Sequence, residues 1–223
     1  MFPPLVERWR SVAHQVEPEI PAALVLAIIR RESAGRPGLL GRSNDDGLMQ
    51  CKPATVAFYN RHHEDKITHE EMSRADLDSA KKQIAVGAWY LGHCLATVHA
   101  WNPAAAPWPA GPLTDYQILL ADLCYARGVA GVGKLRARAL AAGYPDTFDG
   151  LHRFRETHDP TWGTPGHPFK HAPAVLAMMR LDGTGASSPP AILPAKAGGF
   201  PWSMVLGAAA VIIGALVEGD KER

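Results

Sequence analysis

Over most of the first 182 positions, apolar residues recur every three or four residues, the spacing of one face of an α-helix. Strict alternation of apolar and polar residues, which would indicate half-buried strands, is almost absent. We therefore predict an all-α domain over residues 1–182, with residues 62–76 as a charged loop or frayed helix. The predicted helices are 5–16, 21–33, 53–60, 77–100, 114–128, 132–142 and 172–181.

Two further segments follow this domain. Residues 183–199 are rich in Gly, Ala, Ser and Pro, which is typical of a linker without a core of its own. Residues 200–217 carry no charged side chain, and as a helix they would be about 27 Å long, close to the ~30 Å hydrocarbon core of a bilayer. We expect a single transmembrane helix that contacts membrane lipid over 200–217, with a buried globular helix as the alternative. A charged tail, residues 218–223, ends the chain.

The expected membrane segment has two additional features. Phe200 and Trp202 lie at one end, where aromatic residues favour the membrane–water interface. Ala210 and Gly214 are four residues apart, a spacing of small residues that would allow two such helices to approach closely. Self-association through this helix is therefore an open alternative.

Composition and charge narrow the class of protein. Apolar residues make up 47% of the chain and charged residues 20%, values typical of a globular core. The net charge of +1 gives no electrostatic reason to expect nucleic acid as a partner. Cys51, Cys94 and Cys124 have the spacing of neither a disulfide framework nor a metal site, so we expect buried thiols. One disulfide between Cys94 and Cys124 is the alternative.

Glu32 is the strongest candidate for chemistry. Val25, Ile28, Ile29 and Glu32 follow the i, i+3, i+4, i+7 pattern, so Glu32 continues the buried stripe of its predicted helix. Burial disfavours the charged form of a carboxyl group, and a carboxyl that keeps its proton suits general acid catalysis. The alternative is a helix-end glutamate that pairs with a neighbouring arginine.

A short polar turn follows fourteen residues after the first core helix. Gly47 would allow close approach of the backbone to a substrate. Leu48 and Met49 are apolar, and Met49 could supply an adaptable wall. Gln50 can donate and accept hydrogen bonds, which suits the hydroxyl and acetamide groups of a sugar.

Together these motifs resemble the soluble lytic transglycosylase (SLT) family of the lysozyme-like superfamily. The pair Glu32-Ser33 ends an apolar helix, and Gly47-Leu-Met-Gln50 is followed by Pro53 and Thr55. Two weaker similarities are Gly87-Ala-Trp-Tyr-Leu91 and Cys124-Tyr-Ala-Arg-Gly128. The resemblance covers about residues 15–182 and implies a lysozyme-like helical fold that needs neither metal nor cofactor.

The resemblance also implies an activity. Glu32 would protonate the glycosidic oxygen between N-acetylmuramic acid and N-acetylglucosamine in peptidoglycan glycan strands. It would then act as a base while the muramyl 6-hydroxyl closes a 1,6-anhydro ring. Ser33 would orient Glu32 or the acetamide of the sugar, and Tyr125 would hold Glu32 or the substrate. The remaining substrate-binding residues would be Gly47, Leu48, Met49 and Gln50.

Two departures leave alternatives open. Asp45 and Asp46 precede Gly47, and a second carboxylate would make the protein a hydrolytic muramidase, although acidic pairs are also common in plain turns. Ala126 stands where the family motif has Asn, so one polar contact with the substrate is missing. That substitution points mildly to a non-catalytic peptidoglycan-binding or structural protein.

Histidines and tryptophans are weaker candidates. The groups His62, His63, His69 and His158, His167, His171 could bind zinc, but we expect both to lie in solvated loops. Trp89 is predicted to pack in the core, and Trp108 to lie at the rim of a cleft.

The expected location combines these features. The N-terminus has prolines and Glu7 where a secretory signal would have a basic region and an unbroken apolar core, so we predict no signal peptide. A wall-cutting domain with a C-terminal membrane anchor and no export signal suggests delivery by a phage virion or a secretion device. The anchor would then lie in a virion membrane or a bacterial inner membrane.

Overall fold

Helices dominate the computed structural model, which describes residues 1–41, 45–102, 111–158 and 167–182, the side chains of 167 and 168 aside. This part of the chain contains ten α-helices and confirms the predicted all-α class. They are α1 (Pro4–Glu7), α2 (Arg10–Val16), α3 (Ala22–Ser33), α4 (Pro53–His62), α5 (His69–Ser73), α6 (Leu77–Trp101), α7 (Asp115–Arg127), α8 (Val129–Ala141), α9 (Phe148–His158) and α10 (His167–Leu181). Two isolated β-bridges, Leu40–Asp46 and Asp46–Cys51, shape the segment before α4.

Helix α3 forms the centre of the core. Every residue from Ala23 to Ile29 is buried, because α3 packs against α1, α2 and α10. Ala34 ends the helix in the left-handed conformation, with φ of 54°. Helix α7 packs against α6 on one side and α10 on the other, so α10 contacts both α3 and α7.

Capping residues define the starts of α6 and α7. The Asp76 side chain accepts a hydrogen bond from the Ser79 backbone N–H at the start of α6. Thr114 forms a capping box with Gln117 at the start of α7. Helices α6 and α7 pack against each other.

Several boundaries differ from the prediction. The single helix predicted over 5–16 is two helices, and the charged stretch 62–76 contains the short helix α5. Helix α9 was not predicted, although its buried Phe148, Leu151 and Phe154 recur every three residues along the chain. Helix α10 begins at His167 rather than at residue 172, with Pro173 inside it.

The three cysteines are buried free thiols, so the alternative disulfide between Cys94 and Cys124 is wrong. Burial raises the pKa of the Cys51 thiol to about 12, which leaves it protonated and inert at neutral pH.

The predicted linker (183–199), membrane helix (200–217) and charged tail (218–223) lie outside the described residues, as does Trp108. Among the helices that the structure does describe, none combines the length and apolar character needed to cross a bilayer.

Candidate functional site

An open polar cleft lies where the end of α3, the turn before α4 and the end of α7 meet. Its volume is about 730 Å³, within the usual range for binding sites of small ligands. It is lined by Arg31, Glu32, Asp45, Gln50, Cys51, Lys52, Ala54, Thr55, Tyr90, Tyr125, Ala126, Arg127, Gly128 and His171.

Glu32 reaches this cleft from the last turn of α3. Val25, Ile28 and Ile29 of the same stripe are fully buried, whereas the Glu32 side chain is 24% exposed. Its Oε1 lies 3.1 Å from Nε2 of His171. Among the described residues, its ion-pair partner is thus a histidine from α10, and not a neighbouring arginine.

His171 also contacts a second carboxylate. Its Nδ1 lies 2.7 Å from Oδ2 of Asp122 on α7, and both residues are buried. Burial alone would lower the pKa of His171, but its contacts with Asp122 and Glu32 raise that pKa to about 9. Burial raises the pKa of Asp122, and the hydrogen bond with His171 opposes that shift. A continuous row of ionisable side chains therefore runs from the core to the cleft, formed by Asp122, His171 and Glu32.

These contacts were not predicted from the sequence. The prediction that His171 lies in a solvated loop is wrong, because α10 begins four residues before it and buries it against α3 and α7. Asp122 was not singled out, although an acidic residue within the apolar run from Leu119 to Cys124 is an unusual signal. An aspartate at a buried helix position needs a partner, and the structure supplies His171.

The turn over residues 47–50 is held in place mainly by buried side chains. Gln83 is fully buried, accepts a hydrogen bond from the Leu48 backbone N–H at 3.0 Å and donates to the Arg74 carbonyl at 2.7 Å. Gly47 has φ of 79°, and a Cβ there would lie 2.6 Å from Gln83. The close approach that Gly47 permits is therefore to Gln83.

Leu48 and Met49 are also fully buried. Met49 packs on Gly87 of α6, so the expectation that its side chain forms the wall of the cleft is wrong. Gln50 does line the cleft, as expected. Its Nε2 donates to the carbonyls of Leu39 and Gly47, at 2.8 and 2.9 Å, so the amide also holds the turn together.

Ser33 and Tyr125 have other partners than those expected. The buried Ser33 hydroxyl donates to the Ile29 carbonyl at 3.1 Å and accepts from the Gly35 backbone N–H at 3.2 Å. Tyr125 lines the cleft, but its hydroxyl donates to the Met49 carbonyl at 2.7 Å. Ser33 thus closes the end of α3, and Tyr125 ties α7 to the turn. Neither hydroxyl is bonded to Glu32.

The two acids before Gly47 differ from each other. Asp46 is buried, lies in both β-bridges, and places Oδ2 2.7 Å from Nδ1 of His69. Asp45 lines the cleft, and its buried Oδ1 has no hydrogen-bond partner among the described residues. Of these two acids, Asp45 is therefore the one that reaches the cleft.

Two further histidines belong to an aromatic cluster at the end of α4. His63 stacks on Tyr59 with ring centroids 3.7 Å apart, and the exposed His62 contacts Phe58 edge-on at 4.9 Å. Trp89 is buried beside them, as predicted. Within the described ranges, no cluster of three or more His, Cys, Asp or Glu side chains could hold a metal ion.

Residues 11–121 match the family model of the transglycosylase SLT domain. The chain therefore belongs to the SLT domain family, and the resemblance noted in its motifs is confirmed. No curated protein shows a significant match to the chain. At the level of the family, the match supports a function of the lytic transglycosylase type with peptidoglycan as the substrate. The matched segment contains Glu32 and the turn 47–50, and it ends one residue before Asp122.

Proposed function

We propose that this protein is a lytic transglycosylase that cleaves the β-1,4 bond between N-acetylmuramic acid and N-acetylglucosamine and leaves a 1,6-anhydro ring. The observation that carries the proposal is the position of Glu32. It is a carboxyl group at the end of a rigid, buried helix, within the SLT-matched segment, and it opens into a polar cleft large enough for sugar residues.

One carboxyl group is sufficient for this reaction. Glu32 donates its proton to the glycosidic oxygen as the bond from C1 of the muramyl residue to that oxygen breaks. The resulting carboxylate then accepts the proton of the muramyl 6-hydroxyl as O6 forms its bond to C1. The proton removed from O6 restores Glu32, so no water is consumed and no second acid is required, in contrast to hydrolytic glycosidases.

The cleft offers groups that suit a glycan strand. Gln50 and Tyr125 line its wall with an amide and an aromatic side chain, which are types that bind and stack on sugars. Arg31 and Lys52 add positive charge, which complements the carboxylates of peptidoglycan. Ser33, Leu48 and Met49 support the reaction by holding Glu32 and the turn, without contacting the sugar through their side chains.

The test is digestion of purified peptidoglycan by the 223-residue chain, with Glu32→Gln as the matched variant and mass spectrometry of the products. We expect anhydromuramyl products from the parent chain and none from the variant. Reducing-end products would replace the proposal with a muramidase, for which Asp45→Asn is the next variant. Wall binding without any product would replace it with a non-catalytic peptidoglycan-binding protein.

Membrane attachment is a separate part of the proposal. The uncharged segment 200–217 would anchor the chain in lipid and hold the domain near the wall, and the virion of a phage or a secretion device would deliver it. The test is flotation of the full chain with phospholipid vesicles, compared with a variant carrying Val211→Arg and Ile212→Arg. We expect the parent chain to float and the variant to remain in the soluble fraction. Equal behaviour of the two would remove the anchor from the proposal.

Delivery by a virion or secretion device is tested in the bacterial cells that produce the protein. Detection of the protein in virions or secretion complexes is expected. Its presence as a resident periplasmic enzyme, without either, would contradict delivery by such a device.

A further inference from the structure

Two buried ionisable groups lie behind the proposed acid and are not used by the mechanism above. Asp122 is fully buried in α7, and His171 is 4% exposed in α10. They are 49 residues apart in the chain, and both lie outside the segment that matches the SLT domain. Burying two ionisable groups is costly unless each is paired, so their position behind Glu32 requires an explanation.

We propose that Asp122 and His171 are positioning residues that store and return the proton used by Glu32. The proposal rests on the role of Glu32 proposed above. It extends that role by naming the group that holds the proton between one cleavage and the next.

The geometry defines the function of each member. Asp122 Oδ2, at 2.7 Å, holds the proton of His171 on Nδ1 and orients the ring, as a carboxylate does for a histidine in other acid–base sites. The other nitrogen, Nε2, lies 3.1 Å from Glu32 Oε1. This second contact has the distance of an ion pair without the alignment of a hydrogen bond. Such contacts commonly tighten when substrate binds.

The charged groups around His171 favour a proton on this pair. Helix α7 contributes Asp122, and helix α3 contributes Glu32 together with Arg31, which favours the ionised form of Asp122. Helix α9 reaches α10 at Phe169, through the ring of His152. Two carboxylates therefore face the imidazole directly. Their effect exceeds that of burial, since the pKa of His171 is about 9.

The proton balance closes over one turnover. The Nε2–H bond of His171 breaks and an O–H bond forms on Glu32, while Asp122 keeps the Nδ1 proton in place. Glu32 then gives that proton to the glycosidic oxygen. When the 6-hydroxyl attacks C1, its proton passes to Glu32 and from there to Nε2. The imidazole starts and ends protonated, so the pair is ready for the next bond.

The first test is the pH profile of product formation by the full chain. We expect activity to persist up to about pH 9 and to fall above it. In His171→Gln the alkaline limb should move down by at least about 2 pH units, towards the range of an isolated carboxyl group. Asp122→Asn should move it in the same direction by a smaller amount. The control His14→Gln, on the exposed face of α2, should leave the profile unchanged.

A lower rate in His171→Gln with an unmoved alkaline limb would overturn the proposal, because a merely structural role predicts that outcome. Full activity of His171→Gln at every pH would overturn it as well. Thermal unfolding of each variant shows whether the protein is folded under the conditions of the assay.

The second test does not need activity and is independent of the folding of the His171 variant. The ring nitrogens of His171 are followed by NMR during a pH titration of the parent chain and of Glu32→Gln. We expect the imidazole to titrate near pH 9 in the parent and about one pH unit or more lower in Glu32→Gln. Titration near the ordinary histidine value in the parent, or an equal value in both proteins, would overturn the pair. If the titration is as expected but the chain has no lytic activity, the role of Glu32 in catalysis is contradicted, and with it the return of a proton to that acid. The electrostatic coupling between His171 and Glu32 would still stand.

Discussion

The turn over residues 47–50 and the pair of Asp122 and His171 both adjoin Glu32, but they support it in different ways. The turn lies inside the SLT-matched segment, yet Leu48 and Met49 point into the core. The pair lies outside the match, and His171 meets the carboxyl group directly. The comparison indicates that the motif shapes the cleft, whereas a separate helix supplies the charge beside the proposed acid.

The largest expected effect on activity comes from removing the carboxyl group of Glu32. Glu32→Gln keeps the size of the side chain and removes the acid, so we expect product formation to fall by about 10²–10⁴-fold or more. Stability should fall by roughly 1–2 kcal/mol at neutral pH, because the change removes one of the two carboxylates that raise the pKa of the buried His171. Rates from product mass spectrometry and unfolding curves in denaturant measure the two quantities. A variant that retains most of its rate would place the acid elsewhere.

The matching change on the turn is Met49→Ala. Met49 is fully buried, so truncation should lower the free energy of unfolding by about 2–5 kcal/mol. At temperatures where the variant is folded, the ratio of anhydromuramyl to reducing-end products should be the same as for the parent chain. The alkaline limb of the pH profile should also be unchanged. Chemical unfolding gives the first value, and the assay gives the second. A shifted limb in Met49→Ala would show that the turn also sets the charge at the site.

The pH dependence of stability tests the role of His171 separately from that of the turn. The pKa of His171 is raised in the folded protein, so its contribution to stability is fully present below the unfolded value and is lost as pH rises through about 9. The difference in unfolding free energy between the parent and His171→Gln should be largest near pH 6, at most about 3 kcal/mol from this titration, and smaller at pH 10. Unfolding curves at the two pH values check this. A difference that does not depend on pH would mean that His171 contributes only packing.

Prediction from sequence worked best where one helix carried the whole signal. The buried stripe of α3, the position of α7 and the burial of Trp89 follow from local spacing. The family resemblance identified the segment around Glu32 correctly. These features depend on neighbours within a few residues, so one sequence is enough to find them.

The parts that failed depend on contacts between distant segments. His171 lies one residue before the predicted start of the last helix, and its partner Asp122 is 49 residues away. The inward direction of Met49 depends on the small surface of Gly87 on another helix. A motif indicates which residues matter, but the direction of each side chain is set by what packs behind it.

The smallest expected effect concerns the packing of the turn against α6, which is tested by comparing Gly87→Ala with Gly133→Ala. A Cβ at Gly87 would lie 2.5 Å from Sδ and 2.6 Å from Cβ of Met49, so Gly87→Ala must displace the turn. Among the described residues, a Cβ at Gly133 in α8 would meet only Trp101, at an ordinary 3.6 Å. Alanine is favoured over glycine in a helix by up to about 1 kcal/mol, so Gly133→Ala should be neutral or stabilising.

In Gly87→Ala the same helix preference opposes the clash, and overpacking of this kind costs about 1–3 kcal/mol. We therefore expect a net loss of stability in Gly87→Ala and none in Gly133→Ala, measured by thermal unfolding of both variants side by side. Because Tyr125 donates to the Met49 carbonyl, a displaced turn should also weaken substrate binding, seen as a raised KM with the alkaline limb unmoved. Equal stability of the two variants would show that Met49 can move aside, and the turn would then be less rigid than its packing against α6 indicates.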